Sequence, residues 1–151
     1  MSHPNAADVL LLSGPNLNLL GTREPHIYGT ATLDDHVETL RTVLAEVGLT
    51  LRHVQSNAEA DVVGAVHDAR GGVRAIVVNA GAFTHYSWAL HDALSAFEGP
   101  IVELHLSNPQ RREPWRHTSV VAPVATAMLC GLGGAGYRLA GLAVRELLGQ
   151  P

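Results

Sequence analysis

Residues 9–29 read VLLLSGPNLNLLGTREPHIYG, an apolar run that leads directly into a segment punctuated by glycine and proline. The run Val9 to Leu12 predicts a buried strand, and the segment after it carries an amide, a guanidinium and a phenol at Asn16, Arg23 and Tyr28. Open α/β sheets bind their ligands in the crevice outside the carboxyl ends of the strands. The stretch therefore predicts the first strand of such a sheet and one wall of a ligand site.

Amphipathic segments alternate with apolar runs along the rest of the chain. In 33–47 apolar residues recur at spacings of three and four, Thr32 can cap the amino end, and Gly48 ends the pattern. Three further helices are predicted at about 58–69 with Asn57 as cap, about 85–97 with Thr84 as cap, and about 134–148. The predicted strands are 9–12, 49–54, 75–78, 101–106 and 125–130.

Most of these strand runs are apolar on both pleat faces, which is typical of parallel strands covered by helices. The β-α alternation within 151 residues predicts an α/β fold with a doubly wound parallel sheet of five strands, flavodoxin-like in size. No linker-like segment divides the chain, so we expect residues 1–151 to form a single catalytic domain. The connection 107–123 is rich in proline and arginine and is expected to be mostly loop, with at most a helical turn near 112–115. Such a long irregular connection is more often functional than not.

Composition limits the chemistry that this chain can perform. Lysine is absent, so all ten basic side chains are arginines and no lysine can form a Schiff base. Cys130 lies in an apolar run, where we expect it to be buried and unreactive. The net charge of -4, with dispersed arginines, favours a small neutral or anionic partner over nucleic acid. Because no apolar stretch is long enough for a membrane helix and no secretory signal pattern is present, we expect a soluble, cytoplasmic protein.

One glycine-rich stretch raises the possibility of a dinucleotide cofactor, and the number of histidines raises the possibility of a metal. The stretch 131–136 matches G-x-G-x-x-G, but it follows the last predicted strand, and a tight strand-to-helix turn is favoured over a dinucleotide site. Nine histidines raise the possibility of a metal, yet no ligand-spacing motif accompanies them, and His3, His36 and His53 are predicted to be surface residues.

Two further segments carry polar residues in or near a predicted strand. Asn79 ends the third strand and His85 lies near the start of the third predicted helix, while Glu103, His105 and Ser107 alternate along one face of the fourth strand. Polar side chains in a buried strand need partners or a function. For each segment alone, structural hydrogen bonding and catalysis explain the pattern equally well. Their convergence with the first loop on one edge of the sheet favours a catalytic site.

Taken together, these motifs resemble the type II 3-dehydroquinate dehydratases. The matches are, in order, GPNL, GTREPxxYG, NAGAFTHYS, the Asp-Ala after His91, ELHLSN, REPWRH and GLGxxGY. The resemblance implies a flavodoxin-like homododecamer built from trimers. It further implies a reaction without cofactor or metal, in which 3-dehydroquinate loses water by anti elimination through an enolate and becomes 3-dehydroshikimate.

The same resemblance implies roles for individual residues. Tyr28 is the implied base, and because a free phenol is only about 0.1% ionised at pH 7, Arg23 is implied as the cation that supports it. Asn16 holds the enolate through a water, and His105 protonates the leaving hydroxyl with the help of Glu103. The implied substrate-binding groups are Asn79 and His85 for hydroxyls, the amides of Leu106 and Ser107 for the carboxylate, Arg116 with Arg112 as its loop-ordering companion, and Asp92 from across a trimer interface.

Some positions depart from the family pattern, namely Tyr86, Trp88, Pro109, Gln110, Trp115 and Thr118. Two other functions stay open at this point. A flavodoxin-like module that binds FMN or is phosphorylated is disfavoured, because the first loop lacks a Ser/Thr-rich phosphate cradle and the chain lacks lysine. The second function that stays open is the dehydration of a related cyclic hydroxy acid. The motifs are compatible with aromatic amino acid biosynthesis and with quinate breakdown.

Overall fold

Five parallel strands form one sheet in the computed structural model, which describes residues 6–22 and 24–151. The order across the sheet is β2-β1-β3-β4-β5, and each neighbouring pair is parallel. The predicted doubly wound α/β sheet is thereby confirmed. The strands are β1 Val9–Ser13, β2 Leu51–Gln55, β3 Ala75–Asn79, β4 Ile101–His105 and β5 Ala127–Cys130.

Helices cover both faces of the sheet, and they are α1 Pro25–Tyr28, α2 Leu33–Ala45, α3 Glu59–Ala69, α4 Trp88–Ser95 and α5 Ala135–Leu147. Helix α2 begins as predicted. The Thr32 hydroxyl accepts a hydrogen bond from the Asp35 backbone amide, and the Asp35 carboxylate accepts one from the Thr32 backbone amide. It is followed by Gly48 at φ +77°, a left-handed conformation that glycine adopts without strain. None of the helices among residues 6–22 and 24–151 is long and apolar enough to cross a membrane.

Strand β1 shows how the core divides. Val9 and Leu11 pack on the side covered by α2 and α5, whereas Leu10 and Leu12 pack on the side covered by α3 and α4. All four are fully buried. Burial of a leucine or valine side chain contributes about 1.5–3 kcal/mol, so the run that predicted the first strand also anchors both layers of the core.

Several sequence-based expectations about local structure were wrong. Helix α3 has the expected bounds, but Asn57 does not cap it, because its side-chain oxygen accepts hydrogen bonds from other amides. Helix α4 begins at Trp88 and is capped by the Ser87 hydroxyl, not by Thr84, since residues 81–85 form a separate 3-10 turn. The crossover from β4 to β5 contains three such turns, at Pro109–Arg111, Pro114–Arg116 and Ala122–Val124.

The expected positions of some polar side chains also need correction. His36 is buried rather than exposed, and its ring stacks on Tyr137 with 4.7 Å between the centroids. His53 is half-buried and lies 2.9 Å from the Ser13 hydroxyl. Cys130 is half-buried because β5 is an edge strand. His3 lies outside the described residues.

Candidate active site

A cleft opens at the carboxyl edge of the sheet. Its walls come from the loops that follow β1 and β3 and from the crossover between β4 and β5. Open α/β sheets bind ligands at this edge. The residues that line it are Pro15, Asn16, Leu17, Tyr28, Asn79, Gly81, Ala82, His85, His105, Leu106, Ser107, Pro109, Arg112 and Arg116.

Two glycines bring the loops after β1 and β3 into contact. A Cβ on Gly14 would lie 2.0 Å from the carbonyl oxygen of Ala80, and one on Gly81 would lie 3.0 Å from that of Pro15. The Gly14 amide donates to the Asn79 carbonyl at 2.9 Å. The loops after β1 and β3 therefore meet in a backbone-to-backbone contact that leaves no space for a larger side chain at Gly14.

Asn16 occupies the left-handed region, with φ 67°. Its backbone amide donates to the Asn57 side-chain oxygen at 2.9 Å, and that oxygen also accepts the Gln55 amide group at 3.3 Å. Gln55 donates in addition to the Gly14 carbonyl. The last residue of β2 and a residue just beyond it thus hold the backbone of the loop that presents Asn16 to the cleft.

Tyr28 ends helix α1 and contacts an arginine from the crossover. Nη1 of Arg112 donates to the Tyr28 phenolic oxygen at 2.6 Å, and the guanidinium carbon lies 5.3 Å from the centre of the Tyr28 ring. The same nitrogen lies 3.4 Å from the Ser107 hydroxyl. A cation in this position stabilises a negative charge on the phenol. Arg23, for which the sequence predicted this role, lies outside the described residues.

His105 and Glu103 form a buried pair on one face of β4, as the alternation predicted. Nε2 of His105 and Oε2 of Glu103 are 2.6 Å apart, and Glu103 is 1% exposed. A carboxylate only accepts hydrogen bonds, so Nε2 carries the proton in this contact and Nδ1 is left for the cleft. Glu103 itself does not line the cleft, and it contacts the cleft-lining His105 from behind.

His85 is oriented by the backbone of the crossover. Its Nδ1 lies 2.7 Å from the Thr118 carbonyl oxygen, which can only accept, so Nδ1 is the protonated nitrogen. Burial of the ring is the largest influence and lowers the pKa of His85 below its usual value, although the Thr118 carbonyl acts in the opposite direction. The neutral ring therefore offers Nε2 as a hydrogen-bond acceptor.

Asn79 is almost fully buried at the end of β3. Its side-chain oxygen accepts the Gly81 amide and its nitrogen donates to the Tyr137 phenol, both at 3.4 Å. Burial raises the pKa of Tyr137 to about 12, so this phenol stays neutral. The side-chain amide of Asn79 is thus held between the cleft and the core.

The glycine-rich stretch after β5 supports the turn after β4. The Gly133 amide donates to the Leu106 carbonyl at 2.9 Å, and the Gly131 amide donates to the Ser107 carbonyl at 3.1 Å. Both glycines have positive φ. This arrangement agrees with the predicted tight strand-to-helix turn and gives the G-x-G-x-x-G stretch a role in fixing Leu106 and Ser107.

Arg116 brings a second positive charge to the cleft. Its guanidinium carbon lies 4.0 Å from the centre of the Trp115 ring, and its Nε donates to the Glu113 carboxylate. That hydrogen bond is the main reason why the pKa of Glu113 lies below its usual value. Trp115 also packs edge-on against His85, with 5.4 Å between the ring centres.

The structure brings nine of the predicted site residues to one cleft, and these are Asn16, Tyr28, Asn79, His85, His105, Leu106, Ser107, Arg112 and Arg116. Asp92 is exposed on α4 and does not line the cleft of its own chain. Pro15, Leu17, Gly81, Ala82 and Pro109 were not predicted as lining residues, because small and apolar side chains carry no chemical signal. Among residues 6–22 and 24–151 there is no group of three or more His, Cys, Asp or Glu side chains that could hold a metal.

Comparison with known proteins gives a consistent result. The family model described as dehydroquinase class II matches residues 7–145. The 3-dehydroquinate dehydratase of Aeromonas hydrophila is 53% identical over 132 residues, which cover 87% of this chain and 89% of that protein. The catabolic 3-dehydroquinase of Aspergillus clavatus is 52% identical over 132 residues, covering 87% and 88%. The crystal structure of a type II dehydroquinase from Propionibacterium acnes superposes with a TM-score of 0.87 at 40% identity, covering 96% of this chain and 99% of that one.

Proposed function

This chain belongs to the class II dehydroquinase family, whose reaction is the dehydration of 3-dehydroquinate to 3-dehydroshikimate, and we propose that its cleft carries out this reaction with Tyr28 as base and His105 as acid. The observation that carries the proposal is the presence of two supported proton-transfer groups on one cleft. Arg112 contacts the Tyr28 phenol, and Glu103 contacts the His105 ring. One group can accept a proton while the other donates one, which is what the loss of water requires.

The first step removes a carbon-bound proton. The substrate is a β-hydroxy ketone, so the proton between the carbonyl and the carbon that carries the leaving hydroxyl is acidic. The Tyr28 phenolate takes it, and the electron pair moves onto the carbonyl oxygen to give an enolate. Arg112 stabilises the phenolate before this step through its hydrogen bond of 2.6 Å.

The second step expels the hydroxyl group. The enolate electrons form the new carbon-carbon double bond as the carbon-oxygen bond breaks, and the leaving oxygen takes a proton from Nδ1 of His105. Because Nε2 is engaged by the Glu103 carboxylate at 2.6 Å, the imidazolium is stabilised and its orientation is fixed. The base and the acid act on opposite faces of the ring, which gives anti elimination.

Between the two steps the enolate is stabilised by Asn16, acting through a water. The chain contains no lysine, so the carbonyl cannot become an iminium on a lysine side chain. Oriented hydrogen-bond donors must hold the negative charge instead. The left-handed backbone at Asn16, fixed by the Asn57 side chain, supports such an orientation.

The remaining groups fix the substrate. Its carboxylate binds to the backbone amides of Leu106 and Ser107, in a cleft that Arg112 and Arg116 make positive. Its hydroxyl groups bind to the Asn79 amide and to Nε2 of His85, which the contact with the Thr118 carbonyl leaves as an acceptor.

Turnover of purified protein with 3-dehydroquinate tests the function, because the product is an enone with its own absorbance band. We expect Tyr28→Phe and His105→Ala to lose several orders of magnitude in kcat while both still fold. Tyr86→Phe is the matched control, since it removes an exposed phenol that does not line the cleft. A Tyr28→Phe variant that kept a tenth of the turnover would show that another group is the base. Borohydride with substrate should leave the protein unlabelled, and stoichiometric labelling would disprove the enolate route.

We further infer an assembly in which Asp92 of one chain completes the site of another. Asp92 is exposed on α4, and Trp88 on the same helix is 62% exposed, which supports a covered face. The homododecamer of trimers and the cytoplasmic location stay predictions. Mixing Asp92→Ala with Tyr28→Phe subunits tests the shared site, because some interfaces then regain a full set of groups. Hetero-oligomers without recovered activity would count against it.

A further inference from the structure

Ser119 is a crossover residue whose hydroxyl lies against the buried Glu103 carboxylate. Its Oγ is 3.0 Å from Oε1 and 3.0 Å from Oε2 of Glu103. The cleft-lining His105 ring contacts the same carboxylate through Oε2, so Glu103 joins Ser119 to His105. Ser119 does not line the cleft.

The direction of the hydroxyl proton follows from the other partners of this oxygen. The Val121 and Ala122 amides donate to the Ser119 oxygen at 3.2 Å and 3.0 Å. Backbone amides can only donate and an ionised carboxylate can only accept, so these contacts occupy the oxygen lone pairs and leave the proton for Glu103. If the Ser119 side chain rotated away from Glu103, its oxygen would lose the hydrogen bonds from the Val121 and Ala122 amides.

We propose that Ser119 is a positioning residue for the reaction and acts through Glu103 on His105. The shared hydrogen bond to both carboxylate oxygens fixes the plane of the carboxylate. That plane in turn sets the direction of the 2.6 Å contact to Nε2 and therefore the direction in which Nδ1 faces the cleft. The inference rests on the role proposed above for His105.

A double-mutant cycle between Ser119→Ala and Glu103→Gln tests the pathway. Full loss from the transition state of a hydrogen bond to a charged group corresponds to about a 10- to 150-fold fall in kcat, and we expect Ser119→Ala to show a fall within this range in the otherwise unchanged protein. In the Glu103→Gln background the same substitution should change kcat by less than about threefold. Substrate affinity measured by titration should stay close to that of the parent in both cases, because Ser119 does not touch the cleft.

Two further variants separate positioning from a general effect on folding. Ser119→Thr keeps the hydroxyl and should restore most of kcat, while Thr39→Ala removes an exposed hydroxyl on α2 and should change nothing. If Ser119→Ala does not fold, Ser119→Cys provides the same cycle with a much weaker donor. Equal losses in both backgrounds, or no loss in the unchanged protein, would overturn the proposal. An active His105→Ala protein would instead overturn the proposed function, so the two failures are distinguishable.

Discussion

Replacing Arg112 by alanine removes the guanidinium that contacts the Tyr28 phenol. Nη1 of Arg112 lies 2.6 Å from the phenolic oxygen, a distance typical of a hydrogen bond to a charged partner. Such bonds contribute about 1.5–3 kcal/mol. Only the part that is stronger with the ionised phenol affects the rate, so the whole bond sets an upper limit. At about 1.4 kcal/mol for each factor of ten, we expect kcat/KM to fall by about 10-fold and by no more than about 150-fold.

The assay is the initial rate of enone formation over a range of substrate concentrations. Arg111→Ala is the matched control, because Arg111 is the exposed residue directly before Arg112 and does not line the cleft. Arg112→Lys keeps the charge but loses the planar fork, and we expect it to recover only part of the rate. The thermal unfolding of each variant should match that of the parent, so that rate losses reflect the cleft.

Retention of more than half of kcat/KM by Arg112→Ala would refute this reasoning. Arg23→Ala then distinguishes the two arginines, because the family resemblance assigns the supporting cation to Arg23. A large loss in Arg23→Ala with none in Arg112→Ala would return the role to Arg23. Large losses in both variants would mean that the phenolate needs two cations.

Two further predictions concern folding. Gly14→Ala should lower the free energy of unfolding by about 3 kcal/mol or more, because its Cβ would lie 2.0 Å from the Ala80 carbonyl oxygen. In contrast, the Cβ of Gly64→Ala in α3 would meet no atom within 4 Å, so this control should raise the free energy of unfolding by about 0.5–1 kcal/mol. Equal denaturation midpoints for the two variants would contradict this prediction. Burial lowers the pKa of His36, so the unfolded state binds more protons, and stability should fall as the pH drops below about 6.5. His36→Leu should weaken that dependence, and an unchanged pH profile would exclude His36 as a source.

The five-stranded parallel sheet was predictable because buried parallel strands are apolar on both faces. Strand β1 is the clearest case, since alternate residues of one four-residue run enter different halves of the core. The start of α4 was not predictable in the same way. Thr84 and Ser87 are both acceptable caps, and the choice depends on the 3-10 turn that the chain makes at the edge of the cleft.

Contacts between residues distant in sequence were not predictable. The Tyr28–Arg112 hydrogen bond joins residues 84 positions apart, and no local pattern indicates it. His36 seemed to be a surface residue because histidine is polar, but it follows Leu33 by one helical turn and faces Tyr137 on α5. In contrast, Glu103 and His105 lie two residues apart on one strand, so the period of the strand was enough to predict their contact.

The crossover from β4 to β5 supports both proton-transfer groups of the cleft. Arg112 near its start contacts the Tyr28 base, Thr118 orients His85, and Ser119 near its end contacts the Glu103 carboxylate behind the His105 acid. The acid stands on a buried strand, whereas the base stands on the half-exposed end of α1 and depends more on its partner for position. Changes in the first part of the crossover should therefore act mainly on proton abstraction, and changes near its end on departure of the hydroxyl. A substrate deuterated at the abstracted position should show a larger isotope effect on kcat with Arg112→Ala than with Ser119→Ala, because only the first substitution makes carbon-hydrogen cleavage slower.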